Sequence, residues 1–97
     1  MLILNIMLSE DIQKKFVLAT DWVSKNNMPA TNDEKLMCYG YYKQATEGAN
    51  NSDKPWAFQL EKNAKWTVWE ANKGISLEEA KKLYITKIIE LRAKYNF

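Results

Sequence analysis

Apolar positions early in the chain fall at helical intervals: Ile12, Phe16, Ala19 and Val23 recur every three or four residues and make one helix stripe. Ser9, followed by Glu10 and Asp11, reads as the N-cap of that helix with acidic residues in its first turn. The helix is expected to end near Lys25-Asn26-Asn27, with Met28-Pro29-Ala30 as the first connection. Thr31-Asn32-Asp33-Glu34 has the S/T-x-x-E form of a capping box, so a second helix is predicted from about Asn32 to about Thr46, with Gly48 as its stop. Residues 49–55 are polar and read as a loop. Trp56, Phe58 and Leu60 beyond it are expected to anchor an irregular segment onto the core. A third helix is predicted from about Glu61 to about Asn72, stopped by Gly74. Ser76-Leu77-Glu78-Glu79 is a second capping box. Leu77, Ala80, Tyr84, Ile88, Leu91 and Tyr95 then alternate spacings of three and four, the clearest helix in the chain. No run has the strict alternation of a half-buried strand. The prediction is an all-α domain of four helices.

Composition narrows the function classes. The 97 residues suit one compact domain, and 46% apolar with 27% charged residues is ordinary globular usage. A net charge of +2 does not argue for nucleic acid. With no histidine and the single cysteine Cys38, the usual zinc ligand sets, His-dependent triads and an intramolecular disulfide are unavailable within one chain. One cysteine fits a reducing compartment. Cys38 itself reads as a buried small hydrophobe, because no base for a thiolate nucleophile is identifiable. The apolar N-terminal run of residues 1–8 lacks a basic n-region and is too short to span a membrane. Two readings of it stay open: a non-core extension over residues 1–7, with Met7 as an alternative start, or a segment that packs on the bundle. Asn50-Asn51-Ser52 is a glycosylation sequon that matters only in a secreted chain.

The candidate chemistry lies in Tyr39-Gly-Tyr-Tyr-Lys43. On a helix, Tyr39, Tyr42 and Lys43 share one face. Lys65, Trp66 and Trp69 on the third helix and Tyr84 on the fourth add a second cation and further rings. One reading is core rings with snorkelling lysines. The other is convergence, with Lys43 and Lys65 clamping a phosphate and tyrosine hydroxyls donating to it.

Together the segments Tyr39-Gly-Tyr-Tyr-Lys-Gln-Ala-Thr-Glu-Gly48, Lys54-Pro55, Ala64-Lys65-Trp66-x-x-Trp69 and Gly74-x-Ser76-x-Glu78-x-Ala80-x-x-x-Tyr84-Ile85 resemble the acyl-CoA-binding proteins. The resemblance runs from about Leu8 to Tyr95, and Y-K-Q-A-T-x-G followed by A-K-W-x-x-W is its specific pair. It implies a four-helix bundle of up-down-down-up arrangement that binds medium- and long-chain fatty acyl-CoA esters as an intracellular, cytoplasmic, non-enzymatic carrier and pool former. Carried over by motif, Tyr39, Tyr42, Lys43, Lys65 and Tyr84 would contact the CoA headgroup. Gly40, Tyr41, Ser24, Lys25, Glu61 and Trp66 would be peripheral. The ligand is the acyl-CoA itself, with no cofactor and no metal. The implied partners are acyl-CoA-using enzymes or membranes in transient contact, no nucleic acid, and a monomeric state.

Three positions depart from the family pattern. Ser24 stands where a lysine is usual, with Lys25 as a substitute if it turns inward. Trp56 replaces a glycine after the loop proline, and Glu61 replaces a common lysine. The resemblance therefore implies changed peripheral phosphate contacts or chain-length preference, with the central contacts intact. Two further readings belong to other classes: a helical interaction module that docks a partner helix on the aromatic face, and an enzyme that modifies acyl-CoA.

Overall fold

The structure, a computed structural model, describes residues 2–97, with side chains from Glu10 onward. Its helices are α1 (Leu2–Lys25), α2 (Asn32–Glu47), α3 (Leu60–Glu70) and α4 (Leu77–Tyr95), and among the described residues there is no strand. The expected all-α, four-helix architecture is what forms. Packing is unequal: α4 lies against both α1 and α2, and α3 lies against α2.

The helix starts follow the capping chemistry with two corrections. At α2 the predicted box is complete: Glu34 N–H donates to Thr31 Oγ1 at 3.1 Å, and Thr31 N–H donates to Glu34 Oε1 at 2.8 Å. At α4 the Ser76 hydroxyl accepts from Glu79 N–H at 3.1 Å, so Ser76 supplies a single cap where a reciprocal box was expected. At α1 the helix runs through Ser9 and begins at Leu2, so Ser9 is not an N-cap. The run of Leu, Ile and Met before it has good helix propensity and carries the helix upstream. Asp11 is then mid-helix, paired with Lys15 at 3.0 Å. Whether residues 1–7 pack on the bundle concerns Met1 and side chains outside the described residues.

The core is where α1, α2 and α4 meet. Phe16, Ala45, Ala80, Tyr84 and Ile88 are buried as one cluster, with Trp22, Cys38 and Tyr41 packed against it. Phe16 meets Tyr84 edge-on at 5.3 Å between centroids, a geometry favoured by the ring quadrupoles. The α4 stripe holds at Ala80, Tyr84, Ile88 and Leu91. The α1 stripe turns away from expectation at its end. Val23 is 37% exposed, while Trp22 goes in, held edge-on by Phe97 at 6.3 Å and under the Arg92 guanidinium at 4.2 Å. The larger ring wins the α4 contact.

Three polar ties lock the connections. Gln44, 2% exposed, donates from Nε2 to the Ile75 carbonyl at 2.7 Å and so holds the α3–α4 turn against α2. Asn50, the sequon asparagine, is buried in the α2–α3 loop, its side-chain Oδ1 accepting from Ser52 N–H at 3.0 Å. Glu34, beyond its cap role, takes Lys94 at 2.7 Å and the Tyr95 hydroxyl, joining the start of α2 to the end of α4.

The segment after the loop overturns an expectation. Trp56, Phe58 and Leu60 do not anchor the chain: they are 74%, 78% and 78% exposed. The anchoring is done by backbone and polar groups instead. Asn63 Nδ2 reaches the Pro55 and Trp56 carbonyls at 3.1 and 2.7 Å, and Gln59 N–H donates to the Trp56 carbonyl at 2.9 Å.

Gly40 permits the α2–α3 contact. A Cβ there would stand 2.7 Å from the Val68 carbonyl oxygen, well inside contact distance, and the obstacle is backbone. Gly40→Ala should therefore destabilise the fold by about 1–3 kcal/mol of overpacking, less at most about 1 kcal/mol of recovered helix propensity. Urea unfolding measures this, and a gain in stability would show that the helices separate freely.

Glu34 generates a pH expectation. The Lys94 ammonium first, then the Tyr95 hydroxyl and the Thr31 N–H, lower its pKa from 4.5 to about 2. A carboxyl depressed in the folded state stabilises above its unfolded value and loses that contribution as pH falls to about 2. Glu34→Gln should therefore lower stability at neutral pH and flatten the stability profile between pH 4.5 and about 2, as read by acid titration of unfolding. An unchanged profile would refute the tie.

Candidate ligand-binding site

The site is built around the crossing of α2 and α3. Because Gly40 lets the backbones close up, the residues flanking that contact are brought together in pairs. On one side, the Lys65 ammonium lies over the Tyr39 ring at 5.4 Å; on the other, the Lys43 ammonium lies over the Trp69 ring at 4.7 Å. Tyr42 turns toward α4 and α1, 6.1 Å between ring centroids from both Tyr84 and Phe16. Tyr84 is buried, and desolvation, with smaller effects of Cys38 and Tyr42, pushes its hydroxyl up to about 12. It is a neutral donor across the physiological range.

Beside these residues opens a cleft of about 390 Å³ between α1, α2 and α4. Tyr39, Tyr42 and Tyr84 line it, together with Val23, Met28 and Lys35. This volume is in the range of small-molecule sites, and the apolar and aromatic lining is typical of them. Val23 is exposed because it forms this wall.

Both candidate phosphate lysines carry carboxylate partners on their own helices. Lys43 is hydrogen-bonded to Glu47, which raises its pKa against an opposing effect of burial. Lys65 pairs with Glu61 at 3.2 Å. Each pair is spaced i,i+4 along its helix. An incoming phosphate would exchange with a carboxylate at a lysine that is already positioned.

Of the residues expected at the rim, Trp66 donates from its indole to the Ser52 carbonyl at 3.0 Å and holds the loop. Gly40 and Tyr41 belong to packing: Gly40 meets α3, and Tyr41 lies against the core cluster. The Ser24 hydroxyl donates to the Asp21 carbonyl at 2.7 Å. Lys25 does not turn inward. It pairs with Asp21 at 3.0 Å and borders a separate groove with Arg92, because the α1 wall of the tyrosine cleft is taken by Val23 and Asn26. Glu61 holds Lys65, as described.

Sequence reasoning missed Lys35, Met28 and Val23 as cleft walls. Lys35 precedes Tyr39 by one helical turn, a signal that was available; Met28 is set by the turn of a connection and had none. Cys38, expected to be buried, is half-buried on the cleft wall, and desolvation raises its thiol pKa. Among the described residues no group of three His, Cys, Asp or Glu side chains is placed to hold a metal, and no helix is long and apolar enough to cross a membrane.

A family model described as Acyl CoA binding protein matches residues 13–88. The Acyl-CoA-binding protein of Dictyostelium discoideum is 42% identical over 80 residues, covering 82% of this chain and 95% of that protein. Acyl-CoA-binding protein homolog 1 of Caenorhabditis elegans is 45% identical over 65 residues, 67% of this chain and 76% of its own. Among solved structures, the crystal structure of Oryza sativa Acyl-CoA-Binding Protein 2 superposes with a TM-score of 0.82 at 35% identity, over 88% of this chain and 94% of that one. The structure of ACBP from Moniliophthora perniciosa gives 0.81 at 32% identity, over 88% and 84% of the two chains. A match over most of the chain, at these identities and with the same four helices, makes this chain a member of the acyl-CoA-binding protein family.

Proposed function

We propose that this protein binds medium- and long-chain fatty acyl-CoA esters without transforming them, as an intracellular carrier that passes them to acyl-CoA-using enzymes or membranes. The observation that carries the reading is the juxtaposition of two ring-backed lysines, Lys43 over Trp69 and Lys65 over Tyr39, with a tyrosine-lined apolar cleft. That arrangement suits an amphiphile whose head is a phosphorylated nucleotide.

In this reading Lys43 and Lys65 hold phosphate oxygens, and the Tyr39, Tyr42 and Tyr84 rings and hydroxyls border the nucleotide. A charge-assisted hydrogen bond contributes at most about 1.5–3 kcal/mol, reduced here by the carboxylate partner that each lysine gives up. Burial of the acyl chain adds ~0.8 kcal/mol per methylene, from which association and ordering costs subtract. Neither half of the ligand binds tightly alone. No base stands out for thioester chemistry, and the raised pKa of Cys38 leaves it a poor nucleophile. The reducing compartment inferred from the lone cysteine is the cytoplasm, and the protein works as a monomer.

Calorimetry with palmitoyl-CoA, CoA and palmitate tests the proposal. The ester should bind far more tightly than either fragment, and prolonged incubation should return it intact. Absence of heat with the ester, or thioester turnover by the pure protein, would overturn the reading. Lys43→Met, which keeps a stem over Trp69, should weaken palmitoyl-CoA binding by up to about a hundredfold.

Glu61→Gln frees Lys65 from its partner. The pair is largely exposed, and such pairs are worth about 0.2–1 kcal/mol, so the variant should bind palmitoyl-CoA up to about fivefold more tightly. Weaker binding would assign Glu61 a positive role in the complex.

A further inference from the structure

Trp56, Phe58 and Leu60 are the most exposed large apolar side chains of the described residues, and they sit at alternate positions of one short segment. Their exposure is not that of a loose loop. The carbonyls of Pro55 and Trp56 are held by Asn63 of α3, Gln59 N–H closes a turn onto Trp56, and Leu60 is the first residue of α3. Just upstream, the Ser52 carbonyl is tied to the Trp66 indole. The backbone is fixed while three large apolar groups point away from it. A fold that needed them for stability would have turned them inward; large exposed apolar groups gathered in one short segment on a rigid support mark a contact surface.

We propose that this tip docks the protein on a lipid bilayer with anionic headgroups, inserting Trp56, Phe58 and Leu60 into the interfacial zone. Three features select a bilayer as the occupant. The three side chains project from a turn and a helix start, a shape suited to entering a soft surface. Tryptophan favours the headgroup boundary, where its amphipathic ring meets both phases, and phenylalanine and leucine supply the apolar face that enters it. The charges complement an anionic surface: Glu61 and Lys65 pair with each other, which leaves Lys54 and Lys62 against Asp53 in residues 53–65. Among the described residues Lys54 and Lys62 make no ion pair, and Glu61 is taken up by Lys65.

The placement has a functional consequence. Leu60 and Lys65 belong to the same helix, five residues apart, which is about 7–8 Å of axial rise. Docking through the tip therefore brings the mouth of the ligand site to the membrane boundary, where an acyl chain can enter or leave with little exposure to water. The docking itself does not depend on the ligand reading, because it uses none of the ligand-site side chains.

Co-sedimentation of the full chain with phosphatidylcholine vesicles containing about one quarter phosphatidylserine tests the inference. Wild-type protein should sediment with these vesicles and less with pure phosphatidylcholine. The triple variant Trp56→Ser, Phe58→Ser, Leu60→Ser should lose about tenfold or more of its partitioning, and Phe58→Asp alone should lose a large part of it. Melting temperatures should match wild type, because the replaced groups are in solvent. Wild type should be quenched by brominated lipid, and Trp56→Phe should keep partitioning but lose most of that quenching. Failure of wild type to bind the vesicles, or equal binding by the triple variant, overturns the proposal. Sedimentation velocity showing that the tip joins two copies of the chain, with no vesicle binding, overturns it as well. Palmitoyl-CoA titration of the same variants keeps the two readings apart. Intact ligand binding without vesicle binding sinks the tip alone, and vesicle binding without ligand binding sinks the carrier alone.

Discussion

At the crossing of α2 and α3 the Cα of Gly40 faces the carbonyl oxygen of Val68 across a gap that admits no Cβ, since one built there would stand 2.7 Å from that oxygen. The carbonyl is special on its own helix. Asn72 N–H bonds to Trp69 at 3.0 Å, so Val68 loses its usual partner, and the Asn72 side chain satisfies it at 3.1 Å. A tightened helix end thus presents its last turn to the one residue of α2 that lacks a side chain. From this contact the site follows by helical spacing. Lys65 and Trp69 stand on either side of Val68 at one turn or less, and Tyr39 and Lys43 flank Gly40. Wider separation of the axes would pull both cation–ring pairs apart together.

The same tryptophans that look like ligand groups in sequence have a second task. The Trp69 indole donates to the Gly48 carbonyl at 2.8 Å, and the Trp66 indole donates to the Ser52 carbonyl at 3.0 Å. Each ring therefore stitches the α2–α3 loop to α3 through its N–H and leaves its faces for other use; Lys43 occupies one face of Trp69. Gln44 does the equivalent for the α3–α4 turn. Both loops are held by polar groups at fixed points on helices, and the positions of Lys43 and Lys65 are fixed with them.

Periodicity made most of this legible. The α4 stripe, the Thr31–Glu34 box and the extents of α2 and α3 could be read because they depend on local spacing and local hydrogen bonds. What could not be read depends on competition between distant parts. Trp22 displaces Val23 from the core because α4 and Phe97 offer it a larger contact. The outward turn of Trp56, Phe58 and Leu60 depends on Asn63, which supplies the anchoring that the apolar residues were expected to supply. Tyr39, Tyr42, Lys43, Lys65 and Tyr84 were recognisable by motif, yet their partners Glu47 and Glu61 were equally visible at i,i+4 and went unread as pairs. Lys25 does not turn inward because it is paired with Asp21 on the face that borders the groove shared with Arg92, a pairing set by its i,i+4 spacing.

Those carboxylates change how the site binds. A lysine in water that meets a phosphate gains a new ion pair, but Lys43 and Lys65 already have one each, and aromatic faces besides. On the proposed reading, ligand binding is an exchange of Glu47 and Glu61 for phosphate oxygens, and only the difference would contribute to affinity. The gain per lysine is smaller than for an unpaired cation, and side-chain ordering costs less because the lysines are held in place before the ligand arrives. A head group recognised by exchange discriminates by charge and geometry more than it attracts. On that reading most of the free energy of the complex would come from apolar surface, for which the lining of the 390 Å³ cleft is the candidate.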